Sequence, residues 1–231
     1  MMNSLSIRRY QESDFTSVNR IYKVATYQVI CDGLTRAFLD YTSILGFSLI
    51  IAYCLLRNYW YISISIILVY LALPSLVALI SCLKGLGKDL DMTTGYFSTP
   101  KTAFFVATLR DEDRSFGIVV GMVGIKLANT STGGKFAGLR RVGDAELVRM
   151  NLDPEYQGLG ISHQLMMAAI NFSTEQGYKR IILTSSSLQH VATKILYPKY
   201  GFVFDREQSL ILGIKPCFMS KLLTNQDNKL K

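Results

Sequence analysis

From Ser43 to Leu83 the chain carries a single charge, Arg57, and no other stretch limits the possible folds as strongly. Ser43–Leu56 (SILGFSLIIAYCLL) comes first, then Arg57-Asn58, then Tyr59–Leu83 (YWYISISIILVYLALPSLVALISCL). The second run holds 25 uncharged residues. As a helix it would be about 37 Å long, more than a hydrocarbon core of ~30 Å. The first run would reach only about 21 Å and is marginal for a crossing of its own. A core helix of a small domain is apolar along one stripe, so a run apolar on every face argues against a soluble core. The pattern predicts a membrane-embedded helical hairpin over 41–83, turning at Arg57-Asn58. Pro74 should kink its second arm unless a neighbouring helix satisfies the freed carbonyl. Arg8, Arg9, Arg20, Lys23 and Arg36 precede the block, while Lys84 and Lys88 follow it. Positive charge on both flanks favours both ends in the cytosol. The alternative is a single span with a luminal domain. Only then would the sequons Asn129-Thr130-Ser131 and Asn171-Phe172-Ser173 matter.

With 231 residues, the chain has room for one ordinary domain beside this block. Hydrophobic residues make up 49% and charged ones 18%, and the apolar excess is concentrated in the block. The remainder has the balance of a globular α/β domain. Net charge is +8, most of it after residue 83, which suits a phosphorylated cofactor or an anionic membrane face. No dense Lys/Arg run with interleaved aromatics occurs, so a nucleic-acid partner is not expected. Cys31, Cys54, Cys82 and Cys217 lack CxxC spacing and the chain has two histidines. A disulfide framework or a metal site is therefore not expected. About forty mostly polar residues precede the block, so no cleavable signal peptide is expected either.

Leu5–Tyr10 alternates as a short strand, and Ser13-Asp14 reads as the start of a helix running through Asn19–Val29. Lys84–Thr99 is polar, a surface helix or loop. Ala103–Arg110 and Phe116–Leu127 read as strands around the turn Asp111–Arg114. Asn129–Gly138 is a loop, and Gly143–Leu152 a strand ended by Asp153-Pro154. Ile161–Gln176 has helical spacing with Gly177 as its stop. Ile181–Thr184 is a strand, Leu188–Tyr197 a helix, and Gly201–Phe204 and Leu210–Ile214 the last strands. The expected layout is an N-terminal strand and helix over 1–40, the hairpin over 41–83, a core over 84–224 and a polar tail over 225–231.

The chemistry concentrates where a strand meets a helix through Gln157-Gly158-Leu159-Gly160-Ile161-Ser162. Two glycines there permit unusual backbone angles and close ligand approach. The free N–H groups of the helix start then face the ligand, and the dipole favours negative charge, so a diphosphate is the natural occupant. The stretch lacks the third glycine of a dinucleotide fingerprint and the Gly-Lys-Ser/Thr of a P-loop. By itself it is also compatible with an ordinary turn.

On this stretch Glu146–Phe202 resembles the GNAT acetyltransferase core, whose cofactor loop is Gln/Arg-x-x-Gly-x-Gly/Ala. Gln157 and Gly160 match, and Ser162 replaces the last small residue. Within that superfamily the chain is similar to the camello-like membrane-bound N-acetyltransferases. Ile7–Asp14 (IRRYQESD), Gly121–Gly124 (GMVG), Gln176-Gly177-Tyr178, Thr184–Gln189 (TSSSLQ), Leu196-Tyr197 and Gly201-Phe202 support the likeness.

The resemblance implies an α/β GNAT fold, a mixed, splayed central sheet flanked by helices, here with the membrane hairpin inserted. It implies transfer of acetyl from acetyl-CoA, without a metal, directly to an amine: an amino acid, a cysteine S-conjugate or a protein lysine. It also implies the endoplasmic reticulum membrane, where the flanking charges put the catalytic domain on the cytosolic side. The amides of Leu159, Gly160, Ile161, Ser162 and His163 would hold the pyrophosphate, with Gln157 and Gly158 shaping the loop. The edge of Met150, Asn151 and Leu152 would pair with the pantetheine arm. Tyr197 takes the place of the tyrosine that protonates the departing thiolate, or is a packed ring. The family's helix places alanine four residues before that tyrosine, whereas Ala192 is five before. Either Thr193 takes its place or one residue is inserted, and Tyr200 is the other candidate. Glu146 takes the place of a general base, or is a strand charge pairing with Arg140, Arg141 or Arg149. His163 reads as a helix-start residue and His190 as a cap or cofactor contact. The rival function is a catalytically weak acyl-CoA-binding regulatory membrane protein that kept the fold. Oligomeric state is left open.

Overall fold

The computed structural model describes residues 4–39, 41–69, 100–110, 117–128, 136–186, 189, 191–207 and 215–224. β1 (Ser4–Arg9), β2 (Ala103–Arg110), β3 (Ile118–Leu127), β4 (Ala145–Leu152), β5 (Arg180–Ser186), β6 (Val203–Glu207) and β7 (Pro216–Leu222) form one mixed sheet. Their order is β1-β2-β3-β4-β5-β7-β6, with every pair antiparallel except β4 with β5. The central strands are apolar on both faces because both are covered. Phe104, Val106, Val119 and Met122 pack with Val18 and Ile21 of α1 (Phe15–Leu39). The opposite face, with Ala107, Val120 and Val123, packs under Leu165, Met166, Ala169 and Ile170 of α3 (Ile161–Glu175). This is the expected α/β sheet flanked by helices.

α1 runs on to Leu39, past the expected end near Val29. It starts where Ser13-Asp14 predicted a start, and it contains no proline and a single glycine, Gly33, before Leu39. One interior glycine costs about 1 kcal/mol, which a long helix absorbs. At its head Arg8 donates to both Asp14 oxygens, at 2.6 and 2.7 Å, and the Gln11 N–H reaches Asp14 at 2.9 Å. Burial pushes the Asp14 carboxyl up. The Arg8 and Gln11 hydrogen bonds outweigh it and leave the group below the usual carboxylate range.

α2 (Tyr41–Leu56) ends at the expected turn. Asn58 lies at φ +59, its N–H bonded to the Leu55 carbonyl at 3.0 Å, while the Tyr59 N–H reaches the Cys54 carbonyl at 2.8 Å. That pair is a Schellman closure, with asparagine in the left-handed place glycine usually takes. Helix resumes over 60–69. Among the described residues no helix is long and apolar enough to cross a membrane. Pro74 and the rest of the expected second arm lie outside the described residues, as do Lys84–Thr99, Leu210–Ile214 and the tail.

The other correction concerns β7. The sequence suggested no strand after Ile214, yet Pro216–Leu222 lies between β5 and β6. Pro216 reads as a breaker, but as a strand's first residue its missing N–H is tolerated.

Candidate active site

β4 and β5 pair at only two positions, Ala145 with Ile181 and Glu146 with Ile182. Asp144 and Arg180 pin this closed end: Arg180 Nε donates to Asp144 at 3.1 Å and its Nη2 to the Leu139 carbonyl at 2.7 Å. Beyond Glu146 the strands part, and the gap holds two adjoining cavities of about 350 and 390 Å³. Glu146–Asn151 of β4, Leu183 and Thr184 of β5 and Tyr22 and Thr26 of α1 line the first. Leu152, Gln157, Gly158 and Ser162 belong to the second. Ala25, Val29, Met150, Asn151, Gln189 and Tyr197 border both. The cleft thus runs from Glu146 to the glycine turn.

The register of β4 explains its shape. Val148 pairs with Gly124 and Asn151 with Met122, so three steps on β4 face two on β3. This bulge sets Arg149 at φ +53. A non-glycine residue there costs about 1–3 kcal/mol, strain that collects at functional sites. The Arg149 guanidinium lies 5.4 Å from the Tyr22 ring centroid, on the border of the first cavity.

The turn after β4 is built from its first residue onward. Asp153 accepts from the Glu155 N–H at 3.3 Å, and Arg20 of α1 holds the same carboxylate at 2.6 Å. Gly158 and Gly160 then adopt φ +82 and +76, where a Cβ would be strained. α3 starts at Ile161, so the N–H groups of Ile161 and Ser162 have no preceding carbonyl of their own helix. A Cβ at Gly158 or Gly160 would meet nothing within 4 Å, so the space over the turn is open. The His163 N–H is already taken by the Gly160 carbonyl at 3.0 Å. Its ring Nδ1 is hydrogen-bonded to the Tyr200 hydroxyl, and the two rings stack at 5.6 Å and 28°. Leu159 is exposed, Ile161 is buried, and His190 lies outside the described residues.

Tyr197 follows a π-helical segment, Ala192–Leu196, and its N–H donates to the Ala192 carbonyl five residues back. A π turn is how a helix takes up one additional residue. The extra position between Ala192 and Tyr197 is absorbed there, while Thr193 is buried with its hydroxyl on the Gln189 carbonyl. The Tyr197 ring lies 5.8 Å from Phe202. Burial, with Cys217 adding to it, pushes the phenol up to about 12, so it keeps its proton at neutral pH.

Glu146 is buried and paired. Arg140 reaches its oxygens at 3.0 and 3.3 Å, and Lys126 approaches at 3.4 Å. Of the three arginines considered as its partner, Arg140 is the one in place. The Arg141 N–H instead serves Asp144. The same Glu146 lines the first cavity, so pairing does not remove it from the cleft. Four contributors escaped the sequence: Lys126, Gln189, the bulge at Arg149, and the α1 face around Ala25 and Val29. Gln189 alone carried a signal, since it ends the TSSSLQ stretch.

A sequence profile of the Acetyltransferase (GNAT) family matches residues 79–202, just over half of the chain. Over 205 residues the chain is 25% identical to N-acetyltransferase 8 of Rattus norvegicus, covering 85% of each. It is 26% identical over 202 residues to N-acetyltransferase 8B of Mus musculus, covering 85% of this chain and 81% of the relative. An acetyltransferase of the GNAT family from Staphylococcus aureus has the same fold, with TM-score 0.52 and 13% identity over 96% and 100% of the two chains. Its counterpart from Streptococcus pneumoniae gives 0.51 and 19% over the same shares.

Proposed function

The chain belongs to the GNAT acetyltransferase family, and from that premise we propose direct acetyl transfer from acetyl-CoA to an amine by an enzyme held in a membrane through residues 41–83. An acetyl-CoA-dependent N-acetyltransferase must bind a diphosphate, expose a thioester and move two protons. The open glycine turn fits the first need: the N–H groups of Leu159, Gly160, Ile161 and Ser162 would hold the diphosphate. The edge of β4 that β5 leaves unpaired fits the second. There Met150, Asn151 and Leu152 would bond the pantetheine arm, and the free amides would stabilise the oxyanion.

The observation that carries the reading is the position of Tyr197, which borders both cavities between the turn and Glu146. Glu146, directly or through a water, would accept a proton from the ammonium form of the acceptor. The neutral amine attacks the thioester carbonyl, a C–N bond forms and the C–S bond breaks. Tyr197, still protonated, gives its proton to the departing thiolate, and the proton shed by the new amide nitrogen passes through water to restore the phenol.

Membrane attachment is supported by what α2 and residues 60–69 leave uncovered. Among the described side chains of 45–69 only Cys54 and Ser63 are buried, while Leu49, Tyr53, Leu56, Trp60 and Leu68 are exposed. So broad an apolar surface is unusual beside water. Tyr59, Trp60 and Tyr61 cluster at the turn, as aromatic rings do at a membrane–water boundary. The camello-like resemblance adds the endoplasmic reticulum as the compartment.

Purified full-length protein, acetyl-CoA and three acceptors test the chemistry: aspartate, a cysteine S-conjugate and a lysine peptide. Wild type should acetylate one class, and Tyr197→Phe should lower kcat by about 10²–10⁴ while acetyl-CoA binding persists. Full turnover in Tyr197→Phe would remove the tyrosine from the mechanism. A wild type that binds CoA and acetylates nothing would favour the regulatory binding protein.

A further inference from the structure

We propose that Tyr200 is a positioning residue for the cofactor: it locks His163 in the tautomer that offers a ring N–H to the diphosphate. The proposal rests on the placement of the diphosphate at the start of α3.

His163 is the third residue of α3, exposed in the first helical turn, whose free amides would face that anion. Its backbone N–H is spent on Gly160, so only the ring can contribute. The ring is held twice by one partner, stacked on Tyr200 at 5.6 Å and hydrogen-bonded from Nδ1 to the Tyr200 hydroxyl. An imidazole nitrogen is a far stronger base than a phenol oxygen, so in the neutral pair the phenol donates. Burial raises the Tyr200 phenol further, which keeps its proton in place. With Nδ1 accepting, the single ring proton sits on Nε2, and that nitrogen becomes a fixed donor. Fixing tautomer and rotamer before the ligand arrives removes an ordering cost from binding. Tyr200 is itself tied to the acid's turn, since its N–H donates to the Tyr197 carbonyl at 3.0 Å. One hydroxyl thus links the cofactor turn to the segment that carries Tyr197.

Isothermal titration of CoA into the full-length protein tests the link. Tyr200→Phe keeps the stacked ring and removes only the hydroxyl. It should weaken CoA by about five- to tenfold, the worth of one hydrogen bond between neutral groups. His163→Ala should weaken binding at least as much. The double variant should be no weaker than His163→Ala alone, because the hydroxyl then has nothing to orient. In the imidazole NMR signals of wild type, His163 should show one Nε2–H tautomer, and in Tyr200→Phe a mixture. Unchanged affinity in Tyr200→Phe, or additive losses in the double variant, would overturn the pairing while the diphosphate site stands. CoA binding that survives Gly160→Val would overturn the diphosphate site, and the pairing with it.

Discussion

Glu146 answers to two physical demands at one position. Arg140 and Lys126 hold its carboxylate, and the side chain still borders the cleft. Glu146→Gln leaves those cations facing a neutral amide, so it should cost about 1–3 kcal/mol of stability whatever its role in turnover. A role as base adds a separate signature: kcat falls by about 10²–10⁴, and the deficit shrinks at higher pH, where the amine deprotonates unaided. CoA affinity should stay near wild type, because the carboxylate lies at the end of the cleft away from the glycine turn. Lowered thermal stability with wild-type kcat across that pH range would reduce Glu146 to a strand charge. Much at this scale was legible in the sequence. The glycines of the turn and the position of Tyr197 rest on local spacing or motif, whereas the partner of Glu146 was narrowed only to Arg140, Arg141 or Arg149. Lys126 was not legible, because it meets Glu146 as the directly opposite residue on a neighbouring strand, a relation set by register. Arg149 was not legible either: nothing in Val148-Arg149-Met150 marks a bulge, and the left-handed residue is an arginine.

Elements follow the same division between local and tertiary causes. The start of α1 was readable because Asp14 is a local signal, and it also predicts how acid should act. The folded Asp14 carboxyl lies below its unfolded value, so its stabilisation is complete above the ordinary carboxylate range. It is lost as pH falls through the folded value. Asp14→Asn should therefore cost about 1–2 kcal/mol near neutral pH, and urea titrations should show that gap closing as pH drops below the ordinary range. A gap constant with pH would mean that Arg8 contributes packing and no charge interaction. Gly121 in the GMVG stretch sits at a close approach that the sequence did not mark. An added Cβ would lie 2.8 Å from Leu152 Cδ1 and 3.0 Å from Leu165 Cδ1, and Leu165 is fully buried. Gly121→Ala should destabilise by about 1–3 kcal/mol, measured by the same titration, and an unchanged midpoint would show that both leucines can withdraw. By contrast, β7 depends on the two strands it lies between. The π turn before Tyr197 surfaced in the sequence only as one residue too many, because composition does not distinguish a five-residue closure from a four-residue one.

At the scale of the molecule, one mixed sheet and the apolar run of residues 41–83 share one chain. β1 precedes residues 41–83 and β2 follows them, yet the two pair along the whole of β1, Ser4 with Arg110 through Arg9 with Phe105. Both flanks of residues 41–83 therefore belong to one sheet and must lie on the same side of any membrane. A single crossing would place β1 and β2 on opposite sides and break that pairing. This geometry is independent of the charge rule: it puts both flanks on one side, and the charge rule alone argues that the side is cytosolic. The prediction is that protease added to sealed microsomes digests the domain after residue 83 without detergent, while the 41–83 segment stays with the membrane after alkaline extraction. Glycosylation offers the opposing readout, although the two sequons differ in value. Asn171 lies within α3, and Ser173 of its sequon is fully buried with its hydroxyl on the Ala169 carbonyl. A folded α3 thus shields that site, and Asn129 is the informative acceptor. Protease resistance of the domain together with glycan on Asn129 would place it in the lumen. The β1–β2 pairing then could survive only if the hairpin entered and left by the luminal face. The absence of glycan with full digestion would fix both ends in the cytosol, where acetyl-CoA would reach the glycine turn without crossing the bilayer.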